Sequence, residues 1–563
     1  MNMNTNVIGK PLCRAMMAVA IMLLSLQAMA YDFSYTHQGK TLYYRTLTGS
    51  TNEVAVTSYD LSGLFINNNH VSGDVIIPSS VEYNGTTYNV TAIDGETFLC
   101  CSNLTSISIP SSVTYISGSP FVLCNSLNSI NVASGNTHYS SADGVLYDIS
   151  QDTLIAYPGA KTSFNILSST TTIYYEAVAG CNNLTSITIP NNITSILDQA
   201  FCVCSGLTSI SIPSSVTYIG NAAFVFCDSL NSINVASGNT HYSSIDGVLY
   251  NYTRDTLIQC PGAKTSVTIP NGVTTIAESA FAGCRSLTSV TIGNGVNSIE
   301  WCAFQGCSSL TSINVASGNT HYSSTDGALY NYAQDTLILC PEAKSSINIP
   351  NGVTCIKGYA FCNCIGLTSI PIPSSVTYIN VNAAFEGCDA LTSINVASGN
   401  TRYSSIDGVL YNQAQDSLLK CPRGKNSVSM PNSLTCIYRG AFSECKNLTS
   451  ITIPNSVRII DQQAFKMCSN LTSVTIGNSV HSIDWWAFHG CDSLSSIVSL
   501  ATYAPRINPA AFPSANNCRL TVPCGSLGAY TASTWNELFN GRIEEGSSYR
   551  SLSCRHRFSL GAE

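Results

Sequence analysis

The stretch NVASGNTHYSSIDGVLYN, residues 234–251, places residue types used in catalysis close together. His241, Ser243, Ser244 and Asp246 fall within six positions of one another. A serine hydrolase needs a serine nucleophile, a histidine general base and a carboxylate that orients the imidazole. Histidine and carboxylate side chains also bind metal ions. The residue types alone would therefore allow a hydrolytic site or a metal site.

The repetition of this stretch argues against both kinds of site. A catalytic centre is normally assembled once, from distant parts of a chain, whereas near-copies along a chain indicate repeat architecture. The last copy has Arg402 in place of the histidine, and arginine cannot act as a general base. No G-x-S-x-G motif accompanies any copy. We therefore predict a surface turn, no catalytic or metal-binding residue, no cofactor and no enzymatic activity. The copies begin at Asn131, Asn234, Asn314 and Asn395.

A shorter unit repeats along most of the chain, at intervals of 23, 24 or 57 residues. Its clearest copy is LTSITIPNSVRIIDQQAFKMC, residues 448–468, with the pattern L-x-x-I-x-I-P-x-x-V-x-x-I-x-x-x-A-F-x-x-C. In each copy a cysteine follows three residues after a phenylalanine, and Val178 replaces one phenylalanine. The column of phenylalanines comprises Phe98, Phe121, Phe201, Phe224, Phe281, Phe304, Phe361, Phe385, Phe442, Phe465 and Phe488.

The first half of the unit alternates between apolar and polar residues, which is the pattern of a half-buried strand. Ile451 and Ile453 are predicted to point into a coil, and Ser450 and Thr452 to point outward. Pro454 ends the strand because it cannot donate a hydrogen bond to a neighbour.

The second half of the unit is predicted to turn back and complete the coil. Val457 and Ile460 line this turn, while Phe465 and Cys468, three residues apart, share one face of a short helical turn. No single coil can bury this apolar set, so the coils must stack.

These motifs resemble the BspA-type leucine-rich repeat proteins of bacterial cell surfaces, over roughly residues 31–545. The resemblance implies an α/β-type but mostly β repeat solenoid. This right-handed superhelix would have a parallel sheet on its concave side and short helical turns on the other. It also implies adhesion, typically to host extracellular-matrix or plasma proteins such as fibronectin or fibrinogen.

The 57-residue intervals contain an extra segment that includes the opening stretch. Within it, residues 248–250 and 256–258 are predicted to form a β-hairpin, preceded by turn residues at Asp246 and Gly247. Tyr242 and Leu249 are expected to hold the hairpin on the coil. Because repeats stack in register, the four hairpins should emerge from the same edge as a discontinuous ridge.

Two surfaces are candidates for binding. One is the predicted concave face, where a serine recurs at the third position of each strand motif. The other is the hairpin ridge, on which the first copy would expose Asn136 and Thr137. The predicted concave set is Ser186, Thr188, Ser209, Ser211, Ser289, Thr291, Ser312, Asn314, Ser450, Thr452, Ser473 and Thr475. The predicted ridge set is His138, Tyr139, His241, Tyr242, His321, Tyr322, Arg402 and Tyr403.

Each surface also has a simpler interpretation. Hydroxyl columns keep a sheet face soluble, and each GNTHY segment can serve only to fold its own turn. If the surfaces do bind, a protein partner is the main hypothesis and a surface glycan on the Ser/Thr-lined sheet is the alternative. The absence of aromatic side chains from the predicted concave positions disfavours the glycan.

Composition and the chain ends limit the remaining possibilities. Charged residues make up 10% of the chain, the net charge is −8 and no basic stripe is present, so nucleic acid is excluded as a partner. Residues 1–30 have the charged, apolar and small-residue regions of a cleaved signal peptide, which predicts a secreted or cell-surface protein without a transmembrane segment. The other predicted segments are an N-terminal β cap at 31–92, the solenoid with four hairpin insertions at 93–512, a C-terminal cap at 513–546 and an unassigned tail at 547–563.

The 25 cysteines do not predict a metal site. About half recur at one core position, where a free cysteine packs as a small apolar side chain. CVC and CNC spacings differ from the paired C-x-x-C of zinc sites. We predict mostly reduced, buried thiols, with Cys518 and Cys524 as the best candidates for a disulfide.

Overall fold

The computed structural model describes residues 31–58, 71–163, 165–512 and 518–546. These residues fall into two compact units, unit 1 up to residue 309 and unit 2 from residue 310. The predicted signal peptide and the tail at 547–563 lie outside the described residues. The predicted domain boundaries therefore stay predictions.

Unit 1 is built from strands and turns. A β-sheet of order β1-β2-β3-β6-β5 forms its beginning, and β6 also pairs in parallel with β8. Its strands are β1 Phe33–His37, β2 Lys40–Thr46, β3 Glu53–Thr57, β4 Gly73–Ile76, β5 Ser80–Tyr83, β6 Thr86–Ile93, β7 Leu104–Ile109, β8 Tyr115–Ile116, β9 Ser129–Val132, β10 Tyr139–Ala142, β11 Val145–Asp148, β12 Thr153–Ala156, β13 Thr172–Ile173, β14 Ser195–Ile196, β15 Ser209–Ile212, β16 Tyr218–Ile219, β17 Ser232–Val235, β18 Tyr242–Ile245, β19 Val248–Asn251, β20 Thr256–Gln259, β21 Ser266–Thr268, β22 Thr275–Ile276, β23 Ser289–Ile292 and β24 Ser298–Ile299.

Unit 2 continues the same repeat and adds two short helices near its end. Its strands are β25 Ser312–Val315, β26 Tyr322–Thr325, β27 Ala328–Asn331, β28 Thr336–Leu339, β29 Cys355–Ile356, β30 Ser369–Ile372, β31 Tyr378–Ile379, β32 Ser393–Val396, β33 Tyr403–Ile406, β34 Val409–Asn412, β35 Ser417–Lys420, β36 Cys436–Ile437, β37 Ser450–Thr452, β38 Ile459–Ile460, β39 Ser473–Ile476, β40 Ser482–Ile483, β41 Ser496–Ser499, β42 Arg506–Ile507, β43 Arg519–Val522 and β44 Ile543–Glu545. The helices are α1 Leu527–Thr531 and α2 Thr534–Phe539.

Each coil contributes to two parallel ladders. The first ladder contains the predicted L-x-S-I strands, such as β37, β39 and β41, which pair in register. The second ladder contains two-residue strands such as β38 and β40. The sequence analysis assigned Ile460 to a turn, but it lies in β38 and is fully buried. A two-residue strand is too short to show alternation, so its pairing was not predictable.

The apolar column predicted from the repeat forms the core. Phe442, Phe465 and Phe488 stack with ring centroids 4.7 and 4.9 Å apart, and each is at most 1% exposed. In unit 1, Phe281 and Phe304 stack at 4.9 Å. Consecutive coils therefore bury one another's aromatic rings, as the spacing predicted.

The column cysteines pack as thiols directly beside the phenylalanines. The Cys468 thiol donates a hydrogen bond to the Phe442 carbonyl at 3.0 Å, and the Cys227 thiol donates to the Phe201 carbonyl at 3.1 Å. The segment from phenylalanine to cysteine is a hydrogen-bonded turn rather than a helix, with the Cys468 amide donating to the Phe465 carbonyl. The fold is a mostly β repeat solenoid in which turns take the place of the predicted helical segments.

The C-terminal segment contributes three aromatic side chains to the core of unit 2. Tyr530, Trp535 and Phe539 are fully buried. Phe512 contacts Trp535 and Phe539 at 6.0 and 5.9 Å between ring centroids. Aromatic side chains thus cover the apolar end that the last coil would expose.

Candidate functional site

The inserted segments are three-stranded antiparallel meanders rather than two-stranded hairpins. We call them meanders 1 to 4, and they consist of β10–β12, β18–β20, β26–β28 and β33–β35. The predicted hairpin of β19 and β20 is present. The sequence analysis missed β18, whose residues are all half-buried and show no clear alternation.

The turn between β18 and β19 is the predicted Asp-Gly turn. Asp246 and Gly247 have φ angles of 50° and 77°. A Cβ atom on Gly247 would lie 2.7 Å from Cβ of Ser232, so glycine is required by both backbone conformation and space. The turn therefore lies directly against β17.

Because the turn of meander 2 lies against β17, no further strand can pair with β17 on that side. A run of paired strands in the first ladder, which we call a segment, therefore ends at β17. The Ile233 amide donates to the Gly247 carbonyl at 2.8 Å, and the Val235 amide donates to Oγ of Ser244 at 3.1 Å. These are the amides of the open edge of β17. The same two contacts occur at the other three meanders, so each meander satisfies one edge of the first ladder.

The asparagine of each GNTHY segment is a buried structural residue. Nδ2 of Asn239 donates to the carbonyls of Pro213 and Val216, both at 2.9 Å, and its Oδ1 accepts from the amides of His241 and Tyr242 at 2.8 Å. Asn136 is equivalent and only 5% exposed. The prediction that Asn136 is exposed is wrong, because burial lets one amide side chain satisfy four backbone groups.

The tyrosine of the ridge set also has a structural role. The Tyr242 hydroxyl accepts a hydrogen bond from the Ile219 amide at 2.7 Å, which closes the edge of β16. Tyr139 and Tyr403 accept equivalent bonds from Ile116 and Ile379. All three tyrosines are half-buried, as is Tyr322. The expectation that Tyr242 and Leu249 hold the meander on the coil is confirmed, since Leu249 is fully buried.

The potentially catalytic groups bond to separate partners. Nδ1 of His241 lies 3.1 Å from the Thr240 hydroxyl. The Ser243 hydroxyl donates to the Asn251 carbonyl at 2.9 Å, and the Ser244 hydroxyl accepts the Val235 amide. The hydroxyls and the imidazole therefore stabilise the meander and do not form a nucleophile–base pair.

The histidine and the residue after β19 form an exposed pair at the tip of meander 2. The Tyr252 amide donates to the His241 carbonyl at 2.8 Å, and the Tyr252 side chain is 59% exposed. The sequence analysis selected the histidine but missed Tyr252, because only the paired strands bring these positions together. We call these pairs the tip pairs, and they are His138 with Ile149, His241 with Tyr252, His321 with Tyr332, and Arg402 with Gln413.

Within each unit, two meanders lie along the same second ladder. In unit 1 the ladder runs β12-β13-β14-β16, and β16 is bonded to meander 2 through Tyr242. In unit 2 it runs β28-β29-β31, and β31 is bonded to meander 4 through Tyr403. At about 4.8 Å per strand, the two meanders are about 20 Å apart in unit 1 and about 15 Å apart in unit 2.

The predicted hydroxyl positions are all exposed or half-exposed, but the meanders divide them into short segments. β15 and β17 form a two-stranded segment that pairs Ser209 with Ser232. Ser450 and Ser473 lie in a longer one, β37-β39-β41-β43-β44. Ser186 lies outside any strand, and Thr188 makes only an isolated bridge. The remaining predicted positions are Ser211, Ser289, Thr291, Ser312, Asn314, Thr452 and Thr475, and their exposure fits the predicted outward orientation.

Most cysteines in the described residues are free thiols, and many are buried. Burial raises the pKa of Cys388 to about 12, so this thiol stays protonated at neutral pH. Cys518 is also free, so the predicted bond between Cys518 and Cys524 is wrong. Across the described ranges, no group of three or more histidine, cysteine or acidic side chains is placed to hold a metal ion.

The stacked coils, the two ladders and the phenylalanine–cysteine column define a leucine-rich repeat scaffold. The family profile described as "BspA type Leucine rich repeat region" matches residues 77–142, 157–253, 258–341, 338–412 and 419–524. The chain therefore belongs to the BspA-type leucine-rich repeat family. Among the described residues, no helix has the length and apolar character needed to cross a membrane.

Comparison with solved structures finds bacterial leucine-rich repeat proteins. A leucine rich cell surface protein from Faecalibacterium prausnitzii is 20% identical, with 84% of this chain and 96% of that chain covered and a TM-score of 0.29. The pneumococcal vaccine antigen PcpA is 17% identical, with 92% and 100% covered and a TM-score of 0.32. A leucine-rich repeat protein from Bacteroides ovatus is 22% identical, with 83% and 94% covered and a TM-score of 0.24. TM-scores this low carry no argument about function. No curated protein matches the chain.

Proposed function

We propose that this protein is an exported, surface-located adhesion scaffold that binds an extended protein partner through its tip pairs. The main supporting observation is that one backbone bond recurs in all four meanders and holds an exposed pair of residues at each tip, with the same His–Tyr pair in meanders 2 and 3. His241 and Tyr252 are held by the same backbone bond as His321 and Tyr332, and Tyr252 and Tyr332 are 59% and 62% exposed. Host matrix or plasma proteins such as fibronectin and fibrinogen are the partners proposed.

The chemistry of the tip pairs suits weak and repeated contacts. Tyrosine supplies a large, rigid and amphipathic contact surface at low entropic cost. Tyrosine occurs at the tips of meanders 2 and 3, whereas Ile149 and Gln413 take its place in meanders 1 and 4, so the aromatic contacts of meanders 2 and 3 would carry most of the recognition. Linked weak sites raise the overall affinity for an elongated partner without any single tight site.

The glycan alternative on the Ser/Thr-lined sheet has less support. A polysaccharide lying across many strands needs a continuous face, whereas each meander ends a segment of the first ladder. The interrupted first ladder therefore favours a protein partner over a polysaccharide at the hydroxyl positions.

The proposed function is tested by binding of the full chain to immobilised fibronectin and fibrinogen. We expect His241→Ala combined with His321→Ala to leave the unfolding midpoint unchanged, because both side chains are exposed. Binding should weaken only a few-fold, since other tips remain. Adding Tyr252→Ala and Tyr332→Ala should weaken binding further.

Ser209→Ala combined with Ser473→Ala serves as the control, because these exposed hydroxyls lie on the first ladder and not on the tips. If the control variant weakened binding as much as the tip variants, the tip pairs would not be the binding surface. Complete loss of binding from changes in one meander alone would show a single concentrated site and contradict the multivalent proposal.

A further inference from the structure

A stacked pair of tryptophans, one exposed and one half-buried, lies in unit 2 and belongs to neither predicted set of binding residues. Trp485 is 44% exposed, and its ring stacks on that of Trp486 at 5.5 Å between centroids and 11° between planes. Trp486 in turn meets the edge of the His489 ring at 5.9 Å. These three side chains form a connected aromatic surface that the repeat motif does not require.

The backbone at this pair is unfavourable for a large side chain. Trp486 has a φ of 55°, in the left-handed region, where a bulky residue is a genuine outlier. The equivalent positions in other coils have the same left-handed conformation and carry very different residues, among them Ser279 and Gln463 with a φ of 58° and Tyr359 with a φ of 63°. The left-handed turn therefore belongs to the repeat and accepts many residue types, so the fold does not require tryptophan at this position.

Hydrogen-bonding groups adjoin the indoles. Oδ1 of Asp484 accepts the Trp485 amide at 2.8 Å. In the neighbouring coil, Oδ1 of Asp461 accepts the Gln462 amide at 2.7 Å, and the Gln463 amide donates to the Trp485 carbonyl at 2.9 Å. The Gln462 side chain is exposed at the position equivalent to Trp485. An apolar ring surface is thus bordered by two carboxylates and a primary amide.

The charged side chains at this surface are the two carboxylates beside the indoles and Lys466, which lies near His489. Burial and then nearby Lys466 lower the pKa of His489, so its imidazole is neutral at pH 7 and does not offset the carboxylates. Two carboxylates beside the indoles disfavour an acidic ligand by like-charge repulsion. They accept hydrogen bonds well from neutral hydroxyl groups.

We infer that Trp485 and Trp486, with Asp461, Gln462 and Asp484, form a binding site for a neutral sugar residue of a glycan chain. The C–H face of a pyranose ring packs on the electron-rich face of an indole. Its hydroxyls donate to the carboxylates and bond to the amide. This site goes beyond the proposed adhesion to proteins, since it uses neither the tip pairs nor the hydroxyl segments.

The test is a titration of the full chain with neutral hexasaccharides, namely β-1,4-linked glucose, xylose, mannose and N-acetylglucosamine and β-1,3-linked glucose. Calorimetry and tryptophan fluorescence report binding. We expect at least one probe to saturate, Trp485→Ala to weaken it at least tenfold, and Trp485→Tyr to retain part of the affinity. Hyaluronan hexasaccharide, an acidic probe, should bind at least tenfold more weakly.

The matched control is Trp301→Ala. Trp301 is 49% exposed at the same coil position but is followed by Cys302 instead of a second indole, so its removal should leave the affinity unchanged. Circular dichroism and the unfolding midpoint check that each variant folds. No saturation by any neutral probe, equal affinity in Trp485→Ala, or preference for the acidic probe would overturn the inference. Fibronectin binding measured on the same Trp485→Ala protein keeps this result separate from the adhesion proposal.

Discussion

The two units use the same backbone turn after the column phenylalanine but fill it with different chemistry. In unit 1, Val225, Phe226 and Ala282 belong to a buried apolar cluster beside the column. In unit 2, the corresponding region contains Arg423 and Glu444, whose side chains form an ion pair at 3.0 Å. The repeat thus tolerates either an apolar or a charged layer at one place.

The charged layer of unit 2 is organised around two buried cations. Arg423 has a side chain only 8% exposed and also contacts Asp389 at 3.2 Å. Nζ of Lys420 donates to the Gly440 carbonyl at 3.1 Å, and burial, followed by the nearby Arg423, lowers the pKa of this lysine. Unit 1 contains a milder contact, in which the Arg285 guanidinium lies 5.6 Å above the Phe226 ring.

A comparison of the two units identifies the residues that specify the coil. The phenylalanine stack and the thiol-to-carbonyl bond occur in both units, whereas the layer outside them varies. The column therefore fixes the coil geometry, and the outer layer adapts to it.

The largest expected effect is loss of a column ring, and it should be equal in the two units. Phe304→Ala and Phe442→Ala should each lower the free energy of unfolding by about 3–5 kcal/mol, because a rigid stack cannot close the cavity. Urea unfolding of the full chain measures this change. If only one of the two variants lost stability, the phenylalanine column would not determine the coil geometry in both units.

A smaller effect should separate the two outer layers. Arg423→Ala should cost about 2 kcal/mol, less than for a fully buried pair, because Asp389 and Glu444 keep access to water. Val225→Ala in unit 1 should cost about 1–2 kcal/mol through lost packing. Raising the salt concentration should reduce only the first cost, since screening acts on charges. Equal salt sensitivity of both variants would refute the distinction.

The smallest expected effect is the pH dependence of stability that the column thiols cause, and it should be the same in the two units. Burial raises the pKa of Cys101 in unit 1 and Cys388 in unit 2 from 9.0 to about 12. A raised folded pKa contributes stability below the unfolded pKa, and this contribution is lost as the pH rises through the window from 9 to 12. At pH 10 the loss is on the order of 1 kcal/mol per thiol.

Cys101→Ala and Cys388→Ala test this expectation by urea unfolding at pH 7 and pH 10. Between pH 7 and pH 10, each variant should lose less stability than the parent chain, by on the order of 1 kcal/mol, because one ionisable group has been removed. The same pH dependence in parent and variant would mean that the thiol titrates alike in the folded and unfolded chains.

The sequence alone determined the repeat and its core. The column at Phe442 and Phe465, the inward Ile451 and the Asp246–Gly247 turn all follow from local spacing and backbone preference, and the structure confirms them. The same spacing was enough to identify the family. Such features depend on residues that are close together within one repeat, so they can be predicted from the sequence.

Only the tertiary structure decided how the surfaces are arranged. Asn239 and Tyr242 look like exposed polar residues in the sequence, yet each bonds to a backbone group of the preceding coil. The first ladder is interrupted because the carbonyl of Gly247 reaches Ile233, a contact set by how the meander folds over its coil. The exposure of Trp485 likewise depends on which neighbours cover its ring. Periodicity determines which side of a strand faces the core, but long-range pairing determines what covers its edge.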